Sequence, residues 1–167
     1  MNISLLPIKY RNIQKLLKDL SQKSESYWMR QGEKRALALF HQMARRVPAY
    51  KDFLKKQGIH PDAIRTREDW HQIPTVDKVS YLREYPLKAL CWDGKFSEKR
   101  WVISTTSGST GQPFYFPRED AQDFQYAGTA ELYLIKNFDI HKKSTLYIDA
   151  FPMGAWIGGL FTYEAVK

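Results

Sequence analysis

The chemistry legible in this chain gathers in nine consecutive residues, Thr105-Thr106-Ser107-Gly108-Ser109-Thr110-Gly111-Gln112-Pro113. Five are hydroxylated and two are glycine. Gly108 and Gly111 admit positive φ, so the backbone can curl and aim several N–H groups at one point. The hydroxyls of Thr106, Ser107, Ser109 and Thr110 add donors without adding charge. Such a loop suits a polyphosphate. The same residue types also favour an ordinary turn between strands. The run of small residues from Thr106 to Gly111 is longer than a tight hairpin needs, and both readings stand on composition alone.

Other chemistries find no support. A Walker A loop needs a lysine after its last glycine, and Gly111 is followed by Gln112. No Gly-x-Ser-x-Gly nucleophile elbow is present. His41, His60, His71 and His141 lack metal-ligand spacing, so no metal ligands are assigned. Cys91, the one cysteine, has no partner for an internal disulfide and reads as a small apolar residue rather than a nucleophile.

The elements that must position the loop follow from periodicity. Ile13, Leu16, Leu17 and Leu20 recur at helical spacing and predict a helix over roughly 10–22. The polar stretch Ser21 to Gln31 reads as a loop or a frayed helix end. Ala36, Leu37, Leu39, Phe40, Met43 and Val47 form a second helical stripe. Pro48 breaks that helix or opens the next, and Gly58 supplies a stop. Residues 59–88 read as short helices, with Thr66 and Thr75 as candidate caps. The pattern changes at Trp101. Trp101–Thr105 reads as a strand, Phe114–Phe116 as a second strand closed by Pro117, and 119–136 as a helix carrying Phe124, Ala127, Leu132 and Ile135. Thr145–Ile148 reads as a third strand, and the apolar Gly154–Val166 as a buried helix. The expected fold is α/β, with a helical N-terminal region over 1–100 and an α/β layer beginning over 101–167.

Charge divides along the same boundary. Residues 1–100 carry 21 Lys/Arg and 11 Asp/Glu, a net of +10, whereas 101–167 carry five and seven, a net of −2. A basic first half could dock on an acidic partner or nucleic acid. Its cations are scattered, with only pairs at Arg45-Arg46, Lys55-Lys56 and Lys99-Arg100, which favours a solvated helical face over nucleic-acid binding. No apolar run reaches the about 18 residues of a membrane span, so no membrane partner is expected. The opening MNISLLPIKYRNIQ is too short in apolar residues for a signal peptide. With the single cysteine, these features point to the cytoplasm.

Thr106-Ser107-Gly108-Ser109-Thr110-Gly111-Gln112-Pro113 closely resembles the phosphate-binding loop of the adenylate-forming superfamily, which contains acyl-CoA synthetases, peptide-synthetase adenylation domains and luciferases. The nearest branch looks like the phenylacetate–CoA ligase-like family, with its capsule-biosynthesis relatives. Val47-Pro48-Ala49-Tyr50 is similar to that branch's VPxY element, and Ile73–Lys78 to its segment before the loop. Met153-Gly154-Ala155-Trp156-Ile157-Gly158-Gly159 resembles its glycine-rich element. The motifs fall in order over roughly 45–165.

The resemblance implies an ATP-dependent ligase that forms an acyl-adenylate from an aromatic or fatty carboxylic acid. The acyl group then passes to CoA or another thiol. By that analogy Thr106, Ser107, Gly108, Ser109, Thr110 and Gly111 hold the β- and γ-phosphates, Mg²⁺ shares their charge, and Met153 and Trp156 stand beside the acyl pocket. Close helix–strand packing through Gly154, Gly158 and Gly159 explains that last element equally well. Two departures are evident. Phe114 stands where many such loops have lysine, and complete members are well over twice as long. The resemblance therefore implies an incomplete adenylate-forming large domain whose α/β nucleotide-binding subdomain begins over 101–167, either the N-terminal part of a larger enzyme or a truncated reading frame, inactive without a C-terminal portion.

Overall fold

The computed structural model describes residues 12–96, 101–108, 111–151, 153–154 and 156–166. These residues are mostly helical, with a small antiparallel sheet, and divide into two compact units: Lys23–Glu98, and Met1–Gln22 together with Lys99–Lys167. Among the described residues no helix is long and apolar enough to cross a membrane.

In the first unit, helix α2 spans Glu25–Arg46 and helix α3 spans Pro48–Lys56. The polar stretch read as a loop is largely the opening of α2. Ser24 caps it, its Oγ accepting the Tyr27 N–H at 3.3 Å, and a polar first turn is sustained by that cap rather than by an apolar stripe. Pro48 opens α3 at its first position, where a missing N–H costs nothing. Gly58 follows the helix at φ +69°. The core joins Phe40, Ala44, Val47, Ala49, Tyr50, Phe53, Leu54, Ile64 and Tyr81. Its aromatic members meet edge-on, Phe53 and Tyr81 at 5.3 Å and Tyr50 and Tyr81 at 6.2 Å between centroids. Burial, with smaller contributions from Tyr50 and Tyr85, pushes the Tyr81 phenol up to about 12.

Two aspartates organise the short turns of this unit. Asp69 accepts the Arg65 and Thr66 N–H groups, each at 2.8 Å, and the Thr66 hydroxyl, so the Thr66 side chain donates to Asp69 rather than capping the turn Glu68–Gln72. Asp77, not Thr75, caps the π-type turn Lys78–Leu82, accepting the Val79 and Ser80 N–H groups at 2.7 Å. These donors hold both carboxyls below the usual carboxylate range, chiefly Arg65 and Thr66 N–H at Asp69 and Ser80 N–H at Asp77. A depressed folded pKa gives stability that is present above the unfolded value, about pH 4, and is lost as pH falls through the folded one. Asp77→Asn keeps a capping oxygen and removes the titration. Its melting temperature is expected to fall less steeply than the wild type's between about pH 5 and pH 2, read by circular dichroism; an unchanged acid slope would show that Asp77 does not carry the linkage.

In the second unit, helix α1 (Ile13–Gln22) packs on helix α4 (Asp120–Phe138), and α4 packs on helix α5 (Ile157–Val166). Glu119 and Gln122 close a capping box at the start of α4. Strands β1 (Val102–Thr105) and β2 (Tyr115–Arg118) pair antiparallel, with Val102 opposite Arg118 and Thr105 opposite Tyr115. Pro117 lies within β2 rather than ending it. The Thr106 N–H donates to the Phe114 carbonyl at 3.0 Å, and the alternation this sets places Pro117, opposite Ile103, where no ladder N–H is called for.

Thr145–Ile148 does not form the expected third strand. It has no ladder partner among the described residues, and Leu146 and Ile148 are 84% and 78% exposed. A β-branched sequence becomes a strand only when a neighbour takes its backbone groups.

Candidate functional site

The loop stands between two paired strands, which fix both its ends. Across it the Gly111 N–H donates to the Gly108 carbonyl at 2.9 Å. Gly108 sits at φ +71° and Gly111 at φ +120°, conformations that glycine adopts without strain. A Cβ at Gly108 would meet the Gly111 carbonyl oxygen at 3.0 Å and Pro113 at 3.4 Å, whereas one at Gly111 would meet nothing within 4 Å. The Phe114 N–H donates to Thr106 Oγ1 at 3.0 Å, which uses one lone pair of that hydroxyl and leaves its proton for another acceptor. The backbone N–H groups of Thr106 and Gly111 are thus committed within the hairpin. Ser107 is exposed. Ser109 and Thr110 lie outside the described residues.

The glycine-rich element comes to the base of this loop. Trp156 forms an isolated parallel bridge with Thr105, the last residue of β1. Met153 and Trp156 are 45% and 44% exposed, so both present apolar surface rather than filling the core. The glycines that follow divide in role. A Cβ on Gly159 would lie 2.6 Å from the Gly154 nitrogen and 2.7 Å from its oxygen. One on Gly158 would meet only the Phe151 ring, at 3.3 Å. Gly159 therefore serves close packing of α5 against the Met153–Gly154 backbone, and Gly154 supplies that backbone.

Beneath the hairpin lies a polar cluster that the spacing of residues does not reveal. Arg118 on β2, Ser104 on β1 and Asp123 on α4 are 2%, 0% and 8% exposed. An Arg118 Nη1 proton goes to Ser104 Oγ at 2.7 Å, and Arg118 Nε lies 3.0 Å from Asp123 Oδ1. The guanidinium carbon stands 3.8 Å from the centroid of the Phe161 ring of α5, a cation–π contact. One signal exists in the sequence: Ser104, Phe116 and Arg118 share a face of the two strands, and an arginine on the inward face of a strand demands a buried acid.

Elsewhere the residues are structural. Burial pushes the Cys91 thiol up, away from the thiolate, and Cys91 Sγ lies 3.3 Å from the Leu87 carbonyl. Among the described residues no group of three or more His, Cys, Asp or Glu could hold a metal ion. Of the basic pair in α2, Arg46 is held bidentately by Asp93 at 2.6 and 3.0 Å and lies over the Trp92 ring, while Arg45 is exposed. Arg45 is thus the cleaner probe of docking by a basic face, since changing Arg46 also breaks a structural clamp. Lys99 and Arg100 lie outside the described residues.

No protein-family model matches the chain, and no curated protein matches it.

Proposed function

We propose that this chain carries the phosphate-holding segment of an ATP-dependent carboxylate-activating ligase of the adenylate-forming, phenylacetate–CoA ligase-like kind, acting in the cytoplasm. One observation carries the reading. A hydroxyl-rich loop turned by two positive-φ glycines is anchored between paired strands, and Trp156 of the glycine-rich element is bridged to its base. That juxtaposition puts an apolar wall next to a neutral, donor-rich turn, which are the two surfaces a carboxylic acid and a nucleotide triphosphate need beside each other.

In this reading a carboxylate oxygen of an aromatic or fatty acid attacks the α-phosphorus of ATP. The bond from that phosphorus to the bridging oxygen breaks, and pyrophosphate leaves. A thiol of CoA or a carrier protein then attacks the acyl carbon and releases AMP. The loop from Thr106 to Gly111 supplies neutral donors to the β- and γ-phosphates, positions them, and stabilises charge growing on the leaving group. Mg²⁺ would ride on the phosphates and share their charge. Met153 and Trp156 border the acyl group. Among the described residues no group is assigned to adenine, ribose or the final proton transfers, so the reading gives this chain phosphate holding and not turnover.

Titration calorimetry of the full 167-residue chain tests this. The expected result is weak ATP·Mg²⁺ binding, with a dissociation constant on the order of 1 mM, and no pyrophosphate release on adding a carboxylic acid. Carboxylate-dependent pyrophosphate release from the isolated chain contradicts the claim that it is inactive alone. Absence of ATP binding to a folded chain contradicts the phosphate assignment.

A further inference from the structure

We propose that Arg118 is a positioning residue for the loop: its buried contacts to Asp123 and Ser104 lock the hairpin against α4 and so fix the turn between Thr106 and Phe114. The proposal rests on the reading of that loop as a phosphate holder for its consequence on binding, and on geometry alone for its consequence on order. A charge buried to this degree is an expensive way to join a strand to a helix. An apolar trio of similar volume often stabilises as well or better, so mere cohesion does not account for it. What an ion pair adds is direction. Arg118 reaches across the sheet to Ser104, forward along the chain to Asp123, and flat against Phe161, so that β1, β2, α4 and α5 share one guanidinium.

The path from this cluster to the turn is short. Arg118, Phe116 and Phe114 alternate along one side of the hairpin, with Ser104 and Thr106 opposite the latter two. The Phe114 and Phe116 rings lie 4.9 Å apart. The Phe114 N–H ends the path on Thr106 Oγ1. The guanidinium fork sets the strand pair, the two rings pass its orientation along the same face, and Thr106 enters the loop from a fixed start. Arg118 Nη2 donates to Asp123 Oδ2 at 3.5 Å, while Nε and Oδ1, 3.0 Å apart, form the ion pair without a hydrogen bond of their own.

Amide hydrogen exchange reads this directly, because the Thr106 and Gly111 N–H groups are both hydrogen-bonded inside the turn. The main variant is the apolar pair Arg118→Met with Asp123→Leu, which leaves no unpaired charge in the interior. It is expected to keep its helical circular dichroism while Thr106 and Gly111 exchange at least tenfold faster and ATP·Mg²⁺ binds about tenfold more weakly. Ser104→Ala, which removes one hydrogen bond and no charge, is expected to speed the same amides about threefold. Arg118→Lys keeps the charge without the fork, and exchange is expected between the two. Exchange is compared with that of amides inside α4: a role confined to cohesion speeds all of them alike, whereas a positioning role speeds Thr106 and Gly111 more than the α4 amides. Unchanged Thr106 and Gly111 exchange in the apolar pair overturns the proposal; should that pair fail to fold, unchanged exchange in Ser104→Ala does so. A wild-type chain that does not bind ATP refutes the phosphate reading and leaves the exchange result to decide the positioning role.

Discussion

Gly108→Val is expected to weaken ATP·Mg²⁺ binding about ten- to a hundredfold while the helices stay folded. Two penalties combine. Gly108 sits at φ +71°, where a side-chained residue loses about 1–2 kcal/mol and a β-branched one more. Its Cβ would also press on the Gly111 carbonyl oxygen at 3.0 Å and on Pro113 at 3.4 Å, both parts of a closed turn with little room to give. The loop escapes by leaving this conformation. If binding requires it, apparent affinity falls with the fraction that remains, and each 1.4 kcal/mol is about tenfold. Gly111→Ala separates the penalties, because its Cβ meets nothing within 4 Å while φ is +120°. It carries backbone strain without the clash and is expected to weaken binding less than Gly108→Val. Nucleotide-induced amide shifts, titrated on variants with wild-type circular dichroism, read both losses against the wild type. Unchanged affinity in folded Gly108→Val would mean that the phosphates are not held here, and that the nine residues are only a turn.

The result also separates this reading from the basic docking module suggested by the +10 charge of residues 1–100. A docking surface on α2 and α3 is indifferent to Gly108. It is sensitive to Arg45, which is exposed, and to Lys55 beyond it.

What was legible in the sequence was whatever a short stretch decides for itself. Ile13, Leu16, Leu17 and Leu20 mark α1 because a helix writes its buried side every three or four residues. Pro48 announces α3 because its ring fits only the first turn. The break between the strands was legible because Gly108 and Gly111, set among serines and threonines, favour a turn over a ladder. The failures are tertiary. The opening of α2 carries almost no apolar periodicity, and what starts it is the Ser24 cap, a single hydroxyl. Thr75 and Asp77 both suit a cap, and only the direction of the Val79 and Ser80 amides chooses between them. Thr145–Ile148 has strand residues but no strand to pair with among the described residues. The Arg118 cluster draws on four elements between residues 102 and 166, and no local window contains it.

The glycine-rich element is where packing and function compete for the same residues, and Gly159→Ala decides how much of it packing owns. In an open helix this substitution stabilises by about 0.5–1 kcal/mol, because alanine has less backbone freedom to lose. Here the new Cβ would stand 2.6 Å and 2.7 Å from the nitrogen and oxygen of Gly154, distances that real Cβ atoms do not adopt. Two main-chain atoms of another segment cannot rotate away as a side chain would, so α5 or the Met153–Gly154 segment must shift. Overpacking of this kind costs about 1–3 kcal/mol, which outweighs the helix gain. The expected result is a lower denaturation midpoint. Gly158→Ala is the control: its Cβ meets a Phe151 ring carbon at 3.3 Å, a side chain that can yield, so its effect is expected near zero or slightly stabilising. The displaced segment leads into Trp156, whose bridge to Thr105 ties this element to the loop. Gly159→Ala is therefore also expected to speed exchange at Thr106, the residue that follows β1. Equal stability of the two alanine variants would show that the close approach at Gly159 does not hold α5, and the glycines would then be free to serve the acyl group alone.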